Sequence, residues 1–265
     1  MLKISSRDNQ RLKQARQVRD GKIEDLIFVE GLRLVEEALR SDLKIEGIFL
    51  SETFLERGKN LTENVAADVS LFTVSENIFS SLADTKTSQG VVLIARKPET
   101  GKHKIEANLA KIEQKPLVIV LHRINNPSNL GAILRTAEAA DVCGVVLTVD
   151  STDVFSHKSL RVTMGAAFRL PIWADADFVE ILQWARENNL ISSAADVRAE
   201  KNYTEIDWNK PRLLVFGSEA HGLSNEETSQ IEEKLKIPMA NGVESLNLAV
   251  SAGVILFEAK RRNGG

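Results

Sequence analysis

Residues able to do group-transfer chemistry stand in three separate segments of this chain. They read NNPSNLGAILRT over residues 125–136, GSEAHGL over 217–223 and IPMANGVESLNLAVS over 237–251. Each segment follows an apolar strand, passes through a polar loop with glycine or proline, and opens a helix. Ligands of parallel α/β sheets bind outside the carboxyl ends of the strands. We therefore expect the three loops to meet at one ligand site.

The first segment supplies an amide and a guanidinium. Asn129 stands where the helix begins, beside free backbone N–H donors. Arg135 lies off the buried face of the helix, and the small Gly131 and Ala132 leave its guanidinium a path to the loop. The alternative interpretation is that Asn129 is a helix N-cap and Arg135 a solvated helix arginine. The buried face comprises Leu130, Ile133, Leu134 and Ala137.

The second segment combines a tight glycine turn with a carboxylate. Gly217 directly follows a strand, and its missing side chain lets a backbone wrap closely around a ligand. Ser224 and Glu227 form a capping box that starts the next helix. Glu219 is left in the loop without a structural task, although a plain exposed glutamate is the simpler interpretation. His221 is interpreted as a loop residue because nothing supplies it with a partner.

The third segment leads into a final helix that is apolar almost all the way round. Ser245 could cap this helix, and Asn247 could face water in its first turn. A helix that is apolar on every side is expected to be buried on several sides, and Gly253 lowers its stability unless close packing requires it. An intersubunit position would explain both features, so we expect a homodimer. The encircling residues are Leu246, Leu248, Val250, Val254, Ile255, Leu256 and Phe257.

The order of strands and helices predicts an α/β protein with two domains. Residues 1–100 contain a helical start and several strand-like runs, which are typical of a small α/β unit. Residues 101–115 are rich in charge and lie between Pro98 and Pro116, so we interpret them as a linker, in which a short helix could still form. From 116 to 265, continuous apolar strands alternate with helices, which predicts a parallel sheet covered on both faces.

Composition excludes several classes of protein. Residues 1–22 carry seven Lys and Arg against two Asp, so a basic N-terminal arm joins an acidic body in a chain of net charge −3. The chain shows neither a secretory signal nor a run of the roughly eighteen apolar residues that a membrane span requires, so we expect a cytoplasmic protein. Cys143 is the only cysteine and the histidines are scattered, so we expect no disulfide and no metal.

Together, the three segments resemble the SpoU/TrmH family of RNA ribose 2′-O-methyltransferases. NPxNxGAxxRTA, GxExxG and IPM followed by SLN are similar to the three motifs of that family, in the same order and at similar intervals. The intervening DVFS, RVTMGA and FRLPIW also look like the family. In the first hundred residues, ISSRDNQRLK, FVEGLRLVEEAL and TKTSQGVVL resemble its N-terminal substrate-binding domain. The resemblance covers nearly the whole chain.

The resemblance implies a C-terminal domain with a deep trefoil knot, S-adenosylmethionine as methyl donor, and an obligate homodimer with its active site at the subunit interface. It also implies an N-terminal RNA-binding domain related to ribosomal proteins. By motif position, the donor pocket would be lined by Gly217, Ile237, Met239 and Leu246. The residues around the reacting ribose would be Asn129, Arg135, Glu219, Ser245 and Asn247.

Chemistry constrains the role of Arg135. A guanidinium keeps its proton up to a pKa above about 12, which makes it a poor proton acceptor. We expect Arg135 to stabilise the developing alkoxide and to hold the adjacent phosphate, with the proton lost late in the transfer.

For RNA capture we expect basic side chains of the N-terminal domain and two from the catalytic domain. They are Arg7, Arg11, Lys13 and Arg33, with Lys158 and Arg161 as the catalytic domain's share. The two-domain layout favours ribosomal RNA as the substrate. The alternatives are a transfer RNA substrate and a non-catalytic RNA-binding or ribosome-assembly factor of the same fold. A Rossmann-type dehydrogenase ranks last because no GxGxxG follows any strand.

Overall fold

A computed structural model describes residues 1–57, 61, 65–67, 69–112, 115–241 and 243–264. Spatial contacts divide the chain into two compact units. The first comprises Met1–Glu99 and Phe155–Arg169, and the second comprises Thr100–Val154 and Leu170–Gly265. Gly242 in the third loop and residues 113 and 114 of the predicted linker lie outside the described residues.

The strands, in chain order, are β1 (Leu2–Ile4), β2 (Leu26–Glu30), β3 (Ile45–Ser51), β4 (Leu71–Val74), β5 (Val91–Arg96), β6 (Leu117–Leu121), β7 (Gly144–Thr148), β8 (Ile172–Ala176), β9 (Ile191–Ala195), β10 (Arg212–Phe216) and β11 (Glu233–Leu235). The helices are α1 (Gln10–Arg19), α2 (Leu32–Leu39), α3 (Glu52–Arg57), α4 (Glu76–Leu82), α5 (Lys102–Leu109), α6 (Pro127–Ala139), α7 (His157–Thr163), α8 (Ala166–Arg169), α9 (Phe178–Glu187), α10 (Asn225–Ser229) and α11 (Leu248–Arg262). A single 3-10 turn is described, at Tyr203–Glu205.

The first unit is built on a mixed five-stranded sheet in the order β1-β4-β3-β5-β2. β4 pairs in parallel with β1 and β3, and β5 pairs antiparallel with β3 and β2. Helix α1 contributes the buried Leu12, Ala15 and Val18 to the core of this unit. The predicted small α/β unit with its own core is therefore present in the first hundred residues.

The N-terminus differs from the helix expected over residues 1–22. Residues Leu2–Ile4 form β1, which pairs with β4 and buries Ile4 in the core. Helix α1 begins only after Asn9, whose side chain accepts the N–H of Arg11 at 2.9 Å. Asn is a strong N-cap, so it ends the extended segment and starts the helix at this point.

The second unit contains six parallel strands in the order β11-β9-β10-β6-β7-β8. Val118 of β6 and Leu213 of β10 join one hydrophobic cluster with Ile105 of α5 and Trp184 of α9. Alternate strand residues point to opposite faces of a sheet, and their neighbours along β6 and β10 are buried as well. The sheet is therefore covered on both faces, as the continuous apolar strands predicted.

Two segments of the second half add detail to the prediction. Helix α5 lies within the predicted linker, because Ile105 is fully buried in the core of the second unit. The FRLPIW stretch begins as the short helix α8 and becomes strand β8 only after Pro171, which cannot continue a helix without losing a hydrogen bond. The predicted domain limits of 1–100, 101–115 and 116–265 stay a prediction.

Within the single chain, helix α11 is buried on one side only, so its burial on several sides by a second subunit stays a prediction. Ala252, Ile255, Leu256 and Ala259 are buried, whereas Val250 and Phe257 are 53% and 51% exposed. A side chain at Gly253 would find ordinary space, because its nearest atom, Thr136 Cγ2, would be 3.9 Å away. Close packing inside the described chain therefore does not require Gly253. Among the described helices, none has both the length and the apolar character to cross a membrane.

Candidate active site

Side chains from all three predicted loops form one hydrogen-bonded chain. Nδ2 of Asn129 in the first loop donates to Oε1 of Glu219 in the second loop at 3.3 Å. Oδ1 of Asn129 accepts from Nδ2 of Asn247 in the third loop at 3.1 Å. The loops follow the parallel strands β6, β10 and β11, whose carboxyl ends lie at the same edge of the sheet. The predicted convergence of the three segments is therefore observed.

Glu219 has a structural task that the sequence did not reveal. Its carboxylate accepts the backbone N–H groups of Asn125 at 3.3 Å and Asn126 at 3.2 Å, besides the amide of Asn129. These N–H groups precede helix α6, where backbone donors lack helical partners. Glu219 thus ties the second loop to the start of α6.

The helix caps differ from the alternatives that the sequence left open. Asn126, not Asn129, caps α6, and its side chain accepts the N–H of Ser128 at 2.9 Å. Asn247, not Ser245, caps α11 by accepting from Ala249 N–H at 2.9 Å. Asn247 therefore uses its oxygen for the helix and its nitrogen for Asn129, which fixes the orientation of both amides.

A cavity of about 520 Å³ opens beside these three hydrogen-bonded side chains. Its apolar lining includes Phe216, Leu235 and Ile255. The predicted donor-pocket residues Gly217, Ile237, Met239 and Leu246 all line it. So do four of the five residues predicted around the ribose, namely Asn129, Glu219, Ser245 and Asn247.

Gly217 is required by the loop itself. Ser218 and Gly222 exchange two backbone hydrogen bonds, of 3.2 and 2.9 Å, which close the turn tightly. A Cβ on Gly217 would stand 2.4 Å from the carbonyl carbon of Gly222 and 2.6 Å from the nitrogen of Leu223. The missing side chain therefore makes room for the chain's own backbone, where the sequence suggested room for a ligand.

Arg135 is the predicted site residue that the described chain does not bring to the cavity. It is exposed on α6, does not line the cavity, and has no side-chain hydrogen bond or ion pair with any described residue. Six helical positions separate it from Asn129, which turns the side chain by about 240° and moves it by about 9 Å. Although Gly131 and Ala132 are small, the guanidinium of Arg135 therefore does not reach the loop beside Asn129 as the sequence had suggested.

A second hollow, of about 790 Å³, lies next to the first cavity and shares Asn129, Glu219 and the rest of the turn at 218–222 with it. Its outer lining includes Arg123, Asn125 and Asn126. No predicted role had been given to these residues. Their sequence signal is their position directly after strand β6, at the edge where ligands bind.

Below this hollow, the buried His122 anchors the second loop. Its Nε2 lies 3.0 Å from Oε1 of Glu227, whose Oε2 accepts the N–H of Ser224 at 2.8 Å. Burial lowers the pKa of His122, although the neighbouring Glu227 opposes that shift. Burial also acts to raise the pKa of Glu227, but hydrogen bonds from Ser224 and the nearby His122 and Arg123 outweigh it and lower that pKa.

The sequence analysis also did not predict the part of the cavity wall that follows β9. Asp196 and Arg198 line the cavity and form a bidentate ion pair, with Nε–Oδ1 at 3.0 Å and an arginine nitrogen 2.9 Å from Oδ2. The hydrogen bonds from Arg198 lower the pKa of Asp196. In the described residues, no group of three or more His, Cys, Asp or Glu side chains is placed to hold a metal ion.

All six residues predicted to bind RNA belong to the first unit, including the pair assigned to the catalytic domain. Arg161 lies 2.8 Å from Asp84, and Lys13 lies 3.3 Å from Asp8. Arg7 donates to the carbonyl and side chain of Asn77, and the guanidinium of Arg11 stacks 4.9 Å from the ring centre of Phe72. Arg33 and Lys158 are exposed.

Comparison with known proteins identifies this architecture. Residues 116–257 match the SpoU rRNA Methylase family, and residues 9–93 match the MRM3-like substrate binding domain. The chain therefore belongs to the SpoU rRNA Methylase family, as the three motifs predicted. The predicted α/β fold class with a parallel sheet is confirmed by the structure and by its neighbours.

Three similar proteins show the extent of the match. An uncharacterized tRNA/rRNA methyltransferase from Synechocystis is 31% identical over 98% of this chain and 93% of its own length. The 23S rRNA (guanosine(2553)-2′-O)-methyltransferase RlmP of Bacillus subtilis is 26% identical over 98% of this chain and 100% of its own. The crystal structure of an AdoMet-bound rRNA methyltransferase from Sinorhizobium meliloti superimposes with a TM-score of 0.82 at 29% identity, covering 98% and 97% of the two chains.

Proposed function

We propose that this protein transfers a methyl group from S-adenosylmethionine to the 2′-hydroxyl of a ribose in ribosomal RNA. Membership of the SpoU rRNA Methylase family and similarity to rRNA 2′-O-methyltransferases support this activity. The observation that carries it is the hydrogen-bonded chain from Glu219 through Asn129 to Asn247 beside the 520 Å³ cavity. This network of hydrogen-bonded side chains forms only when all three motif loops meet.

The cavity suits S-adenosylmethionine in size and in lining. Pockets for small ligands measure roughly 300–1,000 Å³ and combine apolar walls with a few polar groups. Ile237, Met239 and Leu246 would hold the donor by apolar contact, together with backbone groups of the loop that starts at Gly217. When bound, the donor supplies a methyl group that is already activated by a positively charged sulfur. The protein therefore needs mainly to place the accepting oxygen in line, at about 3 Å.

The polar wall of the cavity would orient the ribose. The amides of Asn129 and Asn247 hold each other in one orientation, and both line the cavity. Glu219 presents a carboxylate that can accept a ribose hydroxyl proton in a hydrogen bond. Ser245 adds a hydroxyl near the end of the third loop, just before α11. Preorganised groups of this kind act without rearranging during the reaction.

An obligate homodimer would bring Arg135 to the site. The exposed apolar face of α11, which includes Val250 and Phe257, is suited to burial against a second copy. The unpaired Arg135 lies on α6, which packs against α11. We assign Arg135 of the partner subunit to the developing alkoxide and the adjacent phosphate, a role that a bidentate guanidinium fits. The trefoil knot, the cytoplasmic location and the absence of metal stay predictions.

RNA capture by the first unit is the second part of the proposal. Arg11, Arg33 and Lys158 are exposed, and the ion pairs of Lys13 and Arg161 are on the surface. Exposed ion pairs contribute about 0–1 kcal/mol, so RNA phosphates can replace the carboxylates as partners. Deleting residues 1–22 would remove buried parts of α1, so alanine substitutions at the exposed cations are the better probe.

Methyl transfer from tritium-labelled S-adenosylmethionine tests the proposed function. Purified protein is incubated with ribosomal RNA or transfer RNA from a strain that lacks the gene. We expect label in ribosomal RNA, at a ribose that resists alkaline cleavage, and a loss of about 10²-fold or more with Asn129→Ala. Label confined to transfer RNA would reassign the substrate. No transfer to either RNA, with heat released on donor titration, would leave a non-catalytic RNA-binding factor.

A further inference from the structure

Arg123 has a backbone conformation that arginine rarely adopts. It follows His122 directly after β6 and has a φ of 51°. Non-glycine residues with positive φ are uncommon and are enriched in Asn, Asp and His. Among the described residues, most of the others in this conformation are indeed of those types, namely Asp141, Asp150, Asp175 and Asn189. Arg123 keeps a long cationic side chain at a position that favours glycine.

The backbone of this turn is held without help from the Arg123 side chain. The N–H of His122 donates to the carbonyl of Phe216 in β10 at 2.9 Å. The N–H of Arg123 donates to Oγ1 of the buried Thr148 in β7, also at 2.9 Å. Both neighbouring strands therefore fix the turn, and a glycine would form it with less strain. Folding of the turn does not account for an arginine here.

The guanidinium of Arg123 has donors to spare. Its side chain is 52% exposed, and its ion pair is with Glu227 at 3.5 Å, beyond a good hydrogen bond. The carboxylate of Glu227 already binds Nε2 of His122 and the N–H of Ser224. Within the described part of the chain, the Arg123 side chain makes no hydrogen bond, although a guanidinium carries five donors.

These donors stand at the hollow of about 790 Å³ beside the donor cavity. Arg123 is the only lysine or arginine among the described residues that line it. The hollow shares Asn129 and Glu219 with the cavity, so a nucleotide whose ribose reaches these two side chains would extend into the hollow.

We propose that Arg123 binds a phosphate of the RNA strand next to the target ribose. This inference rests on the proposed function and adds a contact from the same chain that holds Asn129. A phosphate is the favoured partner because a planar guanidinium binds two of its oxygens at once, and because half of the side chain faces solvent. Arg123 would set the distance along the strand between the held phosphate and the methylated sugar.

Arg123→Gly separates binding from folding, because glycine relieves the positive φ while removing the guanidinium. Two matched controls act away from the site. Asn189→Gly relieves a φ of 56° without changing charge, and Arg186→Gln removes one exposed cation from α9. Arg123→Lys keeps the charge but loses the bidentate geometry.

RNA affinity is measured across a salt series, donor affinity by calorimetry, and stability by thermal unfolding. For Arg123→Gly we expect an equal or higher Tm, unchanged donor affinity, about tenfold weaker RNA binding, and a salt slope smaller by about 0.9, the value of one phosphate contact. Arg123→Lys should keep most of the slope, and both controls should match the wild type.

Three results would overturn the inference: wild-type RNA affinity and salt slope in Arg123→Gly, a selective loss of donor affinity, or weakened binding for one target base only. The last result would indicate base recognition. The proposed function is judged separately, by methyl transfer with the wild-type protein. If that transfer occurs and Arg123→Gly still binds RNA normally, only the role of Arg123 fails.

Discussion

Asn129 and Arg135 lie on the same helix, yet in the proposed dimer they would serve different active sites. Their side chains point about 120° apart around α6, and only Asn129 lines the cavity. Asn129→Ala and Arg135→Ala should each reduce methyl transfer about 10²–10³-fold in homodimers, because each removes a group that acts on the transition state. Mixing the two inactive variants should then restore activity.

The size of the recovery follows from subunit statistics. Random exchange in an equal mixture gives about half heterodimers, and each isologous heterodimer has one site with both residues intact. Activity should therefore reach about a quarter of the wild-type value. If Arg135 acted within its own chain, every site would keep one defect and activity would stay at background.

Methyl transfer to ribosomal RNA, assayed before and after subunit exchange, measures this recovery. An equal mixture of wild type and Arg135→Ala should give about half activity on either hypothesis, with or without exchange, so it controls for loss of activity on mixing. Exchange itself is checked by following heterodimers of two differently tagged variants. Val250→Glu places a charge on the exposed apolar face of α11 and should yield monomers by light scattering, without recovery on mixing. A background-level mixture of exchanging Asn129→Ala and Arg135→Ala dimers would refute the shared site.

Two further predictions concern the second loop. Gly217→Ala must displace the backbone of Gly222, so we expect weaker donor binding and a turnover reduced by about 10²-fold. Gly222→Ala places its Cβ in open space and displaces no neighbour, so it should lower Tm through the strain of alanine at φ 64° but keep near-normal donor binding by calorimetry. Equal donor affinities in the two variants would contradict the clash. The lowered pKa of His122 means that the unfolded chain binds more protons, so stability should fall as pH drops below about 6.5 toward the folded-state pKa, by up to about 1.4 kcal/mol per pH unit. His122→Gln should flatten denaturant-measured stability between pH 5 and 7, and an unchanged slope would show that His122 does not carry the effect.

The convergence of the three loops was predictable because it depends on topology alone. Continuous apolar strands that alternate with helices indicate a parallel sheet, and a parallel sheet has a single carboxyl edge. Polar loops after β6, β10 and β11 must then lie at that edge, whatever their separation in sequence. The resemblance to the family motifs indicated which residues of these loops form the site. Four of the five residues predicted around the ribose and all four predicted donor-pocket residues line one cavity.

Which side chains of the loops cap the helices was not predictable. Asn126, Asn129, Ser245 and Asn247 are all of residue types that cap helices well, so propensity cannot choose among them. The choice depends on where each helix starts, which long-range contacts decide: Asn247 caps α11 while it also binds Asn129, 118 positions away. The positive φ of Arg123 was hidden for the same reason, since it is imposed by β7 and β10.

The sequence of one chain also cannot distinguish a helix that is buried within that chain from a helix whose apolar face would be covered by a second subunit. The apolar residues around α11 predict burial, but Val250 and Phe257 find no cover within the chain. The segment Phe155–Arg169 shows a related limit, because it lies between strands of the second unit in sequence and groups with the first unit by contacts. Periodicity reports which residues avoid water and gives no information about what covers them.

Loop assembly and substrate orientation depend on the same carboxylate. An ionised carboxylate offers about four acceptor positions, and Glu219 uses three of them for the N–H groups of Asn125 and Asn126 and the amide of Asn129. One acceptor position remains, on Oε2, and in the proposed function it would accept a ribose hydroxyl. Because the first three bonds hold the second loop against α6, the fourth acquires its direction from the fold. In the proposed function, the residue that the sequence left without a structural task would therefore couple the closure of the site to the placement of its substrate.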